Sequence, residues 1–183
     1  MQPLTSMPGQ GFSSVFAANT EPMELIIQGV SIGIVATVCL DIWAAIAKYV
    51  LRLPTANWAM VGRWFGHMPR GVLLHRPISA SPPIRHELVL GWIGHYVIGA
   101  LYGIAYLYII EVVFSRQPSF ISATVFGLAT LFAPWLVMQP AMGAGVFASR
   151  APRPALVRVT NFSMHGIFGV ALYLGWVLIG SKG

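Results

Sequence analysis

Four stretches of this 183-residue chain stay apolar for longer than a membrane crossing requires, and the polar residues are gathered between them. The stretches run over 24–51, 88–114, 120–139 and 157–179, each at or above the roughly 20 residues with which a helix covers the hydrocarbon core. The pattern predicts an all-α membrane protein, four transmembrane helices in a bundle. The 115–119 link is short and contains Pro118, so the second and third spans are antiparallel neighbours. The long polar interruption over 54–85 carries its own helical pattern. After a cap at Thr55 or Asn57, Trp58, Val61, Phe65 and Met68 fall on one face and Arg63, His67 and Arg70 toward another, with Pro69 ending the run. That describes a short helix lying in the interface of the first loop. Residues 1–22 carry Gly, Ser, Pro and Thr but no Lys or Arg, so they fail the signal-peptide template and read as a disordered tail. Met23 is an alternative start that would make them an upstream extension. Residues 23–183 then form a single transmembrane domain.

Small and polar residues recur at helical spacing on each span, as they do where helices pack closely in lipid. On the first span these are Gly29, Gly33, Thr37, Asp41 and Ala45; on the second, Gly91, His95, Gly99 and Gly103; on the fourth, Asn161, His165, Gly169 and Tyr173. The third offers Gly127 and a kinking Pro134, and is expected to end where Gln139-Pro140 breaks the backbone ladder. The motif His-x-x-x-Gly followed by Tyr appears in both halves, after a glycine-valine and arginine-proline loop signature. A parallel two-plus-two repeat is one reading of that.

Composition and charge then fix the class and the orientation. Charged residues are 9% of the chain and hydrophobic ones 56%, which excludes an ordinary soluble domain. A net charge of +6 would suggest nucleic acid in a soluble chain. Here nine of the eleven basic residues sit in the two loops at one end, Lys48 to Arg85 and Arg150 to Arg158, against Arg116 and Lys182 at the other. The positive-inside rule makes both basic loops cytoplasmic and both termini external, and nucleic acid is not expected as a partner. A single cysteine, Cys39, excludes an intramolecular disulfide and a cysteine-based zinc site.

The candidate chemistry is intramembrane. A carboxylate within a span costs roughly 2.5 to 3.5 kcal/mol on insertion scales, so Asp41 must face the protein interior. It lies seven residues before Lys48, about 10 Å inside the boundary by helical rise. His95 and His165 fall at comparable depth, with Thr37 and Asn161 on the same faces. One reading is a cluster in which Asp41 holds one or both imidazoles and handles a proton or an ion. A second makes each residue a polar fastener between helices. A third takes the two histidines as haem or metal ligands, the only cofactors the chain suggests. At the loop, Trp58, Arg63, Trp64, His67, Arg70 and His75 are candidates for contact with the interface, an anion or an anionic lipid headgroup. No Ser-His-Asp order, phosphate loop or metalloprotease helix is present, so the sequence leans away from an enzyme.

The segment Thr37 to Asp41 to Trp43, the run Asn57-Trp58 through Gly62-Arg63-Trp64 to Gly71, the pairs His95-Tyr96 and Tyr102-Gly103, the Pro134-Trp135 to Gly143 break, and Asn161 to His165 together resemble a bacterial family of small integral membrane proteins with a domain of unknown function. The resemblance covers about 23–180. It implies a bacterial inner membrane and brings no activity, ligand or catalytic residue. The leading expectation is a non-enzymatic inner membrane protein handling a proton, ion or small solute through the Asp/His cluster. Four small helices leave little room for a pathway, which favours a homo-oligomer. The alternative is an assembly or scaffold protein acting through its basic loop and glycine faces.

Overall fold

The computed structural model describes residues 22–179, and over them the protein is helical with no strand. Its helices are α1 (Pro22–Tyr49), α2 (Trp58–His67), α3 (Glu87–Leu107), α4 (Phe120–Ala129), α5 (Gln139–Ala141) and α6 (Pro154–Ile179). Wide π-helical turns extend α3 over Tyr108–Val113 and join α4 to α5 over Ala133–Met138. Four helical stretches are long and apolar enough to cross a membrane: Pro22–Tyr49, Glu87–Val113, Phe120–Ala141 and Pro154–Ile179. The tail expected over 1–22 lies outside the described residues except for Pro22, which opens α1.

The boundaries follow local chemistry. Asn57 caps α2, its Oδ1 accepting from the amides of Ala59 at 3.1 Å and Met60 at 3.4 Å. Ser119 and Ser122 form a reciprocal capping box that starts α4. The third span differs from expectation at its end. It does not stop at Gln139-Pro140 but runs to Ala141, because the π turn re-routes the ladder around Pro134: the Gln139 amide donates to the Pro134 carbonyl, five residues back.

Glycines decide how the long helices meet. On α1, Cβ atoms at Gly29 and Gly33 would strike the backbone of Ile104 and Gly99, while on α3 one at Gly103 would strike the backbone of Gly29 and Gly33. On the other side of the molecule a Cβ at Gly127 would meet Gly169 Cα at 2.5 Å. So α1 packs against α3, α4 against α6, and α1 joins the pairs by packing against α6, where Gly175 faces Ile32. The core at this end holds Ile32, Ala36, Tyr106, Leu107, Ala123 and Leu172. Between α3 and α4 the contact is carried by rings, with Tyr102 and Tyr106 against Phe126.

The α2 helix is pressed onto the start of α3, where Gly62 lies against the Glu87 carbonyl and Gly91 against the Trp58 carbonyl. The loop after α2 folds back across the end of the third span: the amides of His75 and Ile78 donate to the carbonyls of Ala141 (2.7 Å) and Met142 (3.0 Å). The Gly143 backbone has φ of +90°, and a Cβ there would sit 2.8 Å from the His75 carbonyl oxygen, so that joint requires glycine. The two basic loops therefore share one end of the molecule.

Candidate functional site: an Asp-His pair on an apolar cavity

A cavity of ≈ 550 Å³ opens from the loop end toward the middle of the helices. Its mouth is set by Lys48, Tyr49 and Thr55, and its floor by Thr37, Tyr102, Thr130 and Phe168; α1, α2, α3, the third span and α6 all contribute wall. Most of that wall is apolar or aromatic, as in small-molecule pockets generally.

Asp41 is on the wall. Its Oδ1 lies 2.9 Å from His95 Nε2, and its Oδ2 accepts from the Tyr96 hydroxyl at 2.9 Å. The four-residue spacing that carries Gly33 and Thr37 onto α3 carries Asp41 there too, one turn nearer the loops. Its side chain still keeps 19% of its surface open, so the carboxylate is reachable from the cavity. Rings enclose His95: Trp58 from α2 lies over it with centroids 4.0 Å apart, and Trp92 and Tyr96 stand 5.7 and 5.4 Å away. Trp58 reaches this position because Gly62 and Gly91 let α2 approach α3 at backbone distance.

His165 lines the same cavity but does not meet Asp41. Its Nδ1 is 2.7 Å from Thr130 Oγ1, which itself donates to the Gly127 carbonyl. A hydroxyl has one proton, so His165 Nδ1 carries the hydrogen and its Nε2 is an acceptor, an assignment made from the network. Only His75 Nε2 and Gln139 Oε1 are both sealed off and unpaired among the described residues. The unpartnered Nε2 of His165 is therefore open to the space that its ring lines. Asn161 also borders the cavity, with most of its amide engaged: oriented with its oxygen toward donors, it accepts from Trp135 Nε1 at 3.2 Å and Gln139 Nε2 at 2.6 Å and donates one N–H to the Val157 carbonyl at 3.3 Å. Thr37 donates to the Gly33 carbonyl at 2.8 Å.

Most of the loop candidates turn inward. The Arg63 guanidinium forms a two-pronged pair with Glu87, at 2.8 and 2.9 Å, and donates to the carbonyls of Ser79 and Ser81. The hydrogen bond to the Glu87 carboxylate, with its charge, holds Arg63 above its ordinary pKa. Trp64 Nε1 donates to the Leu73 carbonyl at 2.9 Å, His67 Nε2 to the Pro82 carbonyl at 3.0 Å, and His75 Nδ1 lies 2.7 Å from Ser81 Oγ. Arg63, Trp64 and His67 pin the loop to α2, and His75 braces the loop against itself. Arg70 is exposed and Trp58 is half-buried on the cavity wall.

Three residues of the site escaped the sequence reading. Tyr96 follows His95 directly and so lies off the four-residue face, and only its long side chain brings the hydroxyl back. Thr130 resembled an ordinary back-bonded helix threonine, and it is one as well as the partner of His165. Trp92 gave no spacing signal apart from its place one turn before Tyr96. Among the described residues no three His, Cys, Asp or Glu side chains converge to hold a metal ion.

No curated protein and no solved structure matches the chain. The model of a family described as "Protein of unknown function (DUF2938)" matches residues 30–179. That match takes in every residue of the cavity wall, and the chain belongs to this family.

Proposed function

We propose that this is a non-enzymatic protein of the bacterial inner membrane that handles a proton together with a small solute through Asp41 and His95. Its four long helices form a bundle around the cavity, with α2 at the cytoplasmic interface as both anchor and cavity wall. The observation that carries the reading is the Asp41–His95 pair, 2.9 Å apart, on the wall of an otherwise largely apolar cavity of ≈ 550 Å³. A pure fastener needs no accessible volume beside it. Intramembrane ionisable groups on such a cavity are the usual carriers of a proton or ion step.

The scaffold alternative is weakened by where the glycines are. The faces of Gly29, Gly33, Gly99, Gly103, Gly127 and Gly169 are consumed in packing α1 on α3 and α4 on α6, and are not free for an external partner. The test is reconstitution into proteoliposomes loaded with a pH dye. Wild-type protein should carry a proton flux under an imposed pH gradient when a mixture of small cationic, anionic and neutral solutes is supplied, and Asp41→Asn should abolish it while retaining the helical circular dichroism of the wild type. Equal flux from the two proteins would refute the proposal.

A further inference from the structure

The polar groups left for an occupant of the cavity include two acceptors, Asp41 and His165, and donors elsewhere on the wall, among them the Lys48 ammonium and the Tyr102 hydroxyl. Asp41 offers a carboxylate, each of whose oxygens retains lone-pair capacity beyond its bond to His95 or Tyr96. His165 offers the lone pair of Nε2, since Nδ1–H is committed to Thr130. Thr37, Thr130 and Thr160 spend their hydroxyl protons on carbonyls of their own helices, and one of the two Asn161 N–H donors goes to Val157. The rest of the wall is rich in π-faces, among them Trp58, Trp64, Tyr102 and Phe168. An anion would meet the Asp41 carboxylate, and a neutral hydrocarbon would leave it unused. A carboxylate among aromatic faces in a low-dielectric cavity favours a positive charge on an apolar body.

We propose that the cavity binds a monovalent lipophilic cation, an ammonium group carried on an apolar body, whose positive charge sits beside the Asp41 carboxylate. This names the solute class of the site proposed above and rests on that reading.

The titratable groups around the pair are His95 and Tyr96 on α3, with Tyr102 deeper on the same helix; Lys48 and Tyr49 at the mouth on α1; and His165 on α6. The wall presents no titratable group from α2 or from the third span. The Lys48 ammonium lies over the Tyr49 ring, 5.1 Å from its centroid, and makes no ion pair with Asp41. The wall therefore presents a single carboxylate to a cation.

The test compares a cation with its uncharged isostere. Benzyltrimethylammonium and neopentylbenzene differ in replacing N⁺ by carbon, and binding of each is measured by calorimetry on the full chain in phosphatidylcholine nanodiscs, against empty discs. Wild-type protein should prefer the cation by about tenfold or more. Asp41→Asn should lose the preference while still binding neopentylbenzene, which shows that the cavity survives. A mutation-free arm guards against misfolding: acidifying the wild-type protein until the carboxylate protonates should erase the same preference reversibly. Equal binding of the two probes, tighter binding of benzenesulfonate, or a preference unchanged in Asp41→Asn would each overturn the cation. If the Asp41-dependent proton flux stands while the cation preference is absent, the solute class is wrong and the proton function survives. If the preference depends on Asp41 without any flux, the cation site is supported and the transport reading falls.

Discussion

Thr130 gives its one proton to the Gly127 carbonyl, so what it offers His165 is a lone pair, and that single choice sets the chemistry of an imidazole on another helix. The expected consequence is a neutral His165 with Nδ1 protonated and Nε2 bare, readable as two well-separated imidazole nitrogen shifts in ¹⁵N-histidine spectra. Replacing Thr130 by Val should let both tautomers populate and cost about 1 kcal/mol of stability, the net worth of one ordinary hydrogen bond. A His165 signal of mixed tautomer in the wild type would contradict the assignment. At this scale the sequence was half legible. Asp41, His95 and His165 stand out because polar groups in a span are costly, but cost says nothing about partners. Asp41, read as holding one or both imidazoles, meets His95 alone, and His165 forms a second pair on the same cavity, because it sits opposite Thr130 of its own packing partner while Asp41 reaches α3. Tyr96 could not be found from spacing at all.

The two pairs follow from one construction at the level of elements. In each half, two long helices close through glycines, and the histidine one turn from the contact glycine, His95 before Gly99 and His165 before Gly169, bonds a polar residue on the other helix of its pair. The half-to-half difference is the partner: a carboxylate in the first, a hydroxyl in the second. The glycine faces were legible from four-residue periodicity, since only small residues permit such approach. The π turns were not, because a wide turn leaves no mark in a pattern of apolar positions, and Pro134 signals only a disturbance. The glycine contacts predict a sharp contrast. Gly103→Ala puts a Cβ into the Gly29 and Gly33 backbone, with Gly33 Cα at 2.8 Å, and should destabilise by about 1 to 3 kcal/mol. Gly166→Ala, whose nearest neighbour is Leu128 Cδ2 at 3.9 Å, should be neutral or stabilise by up to about 1 kcal/mol. Thermal unfolding of both variants in one detergent checks this, and equal losses would mean that the α1–α3 glycine contact does not limit packing.

At the scale of the whole molecule, the fold of the loops bears on orientation. Counting alone sets nine basic residues against two, but a charge tied up inside the protein contributes less to a surface bias than one left in water. Arg63 is buried and bound to Glu87. Lys48, Arg52, Arg70, Arg76 and Arg85 at the first loop and Arg150, Arg153 and Arg158 at the second remain exposed, Arg158 while donating to the Phe147 carbonyl at 2.8 Å. The backbone bonds from His75 and Ile78 to Ala141 and Met142 hold both loops at the same end, so their exposed charges add rather than oppose. Arg116 stands exposed at the other end, on the link between the second and third spans. The positive-inside rule then predicts that the loops face the cytoplasm. In a Cys39→Ala background, single cysteines replacing Arg70 and Arg153 should resist a membrane-impermeant maleimide in intact cells and react once the cells are lysed, whereas one replacing Arg116 should react in both. Labelling of Arg70→Cys in intact cells would invert the orientation, and with it the side of the membrane from which the mouth at Lys48 and Thr55 takes up its solute.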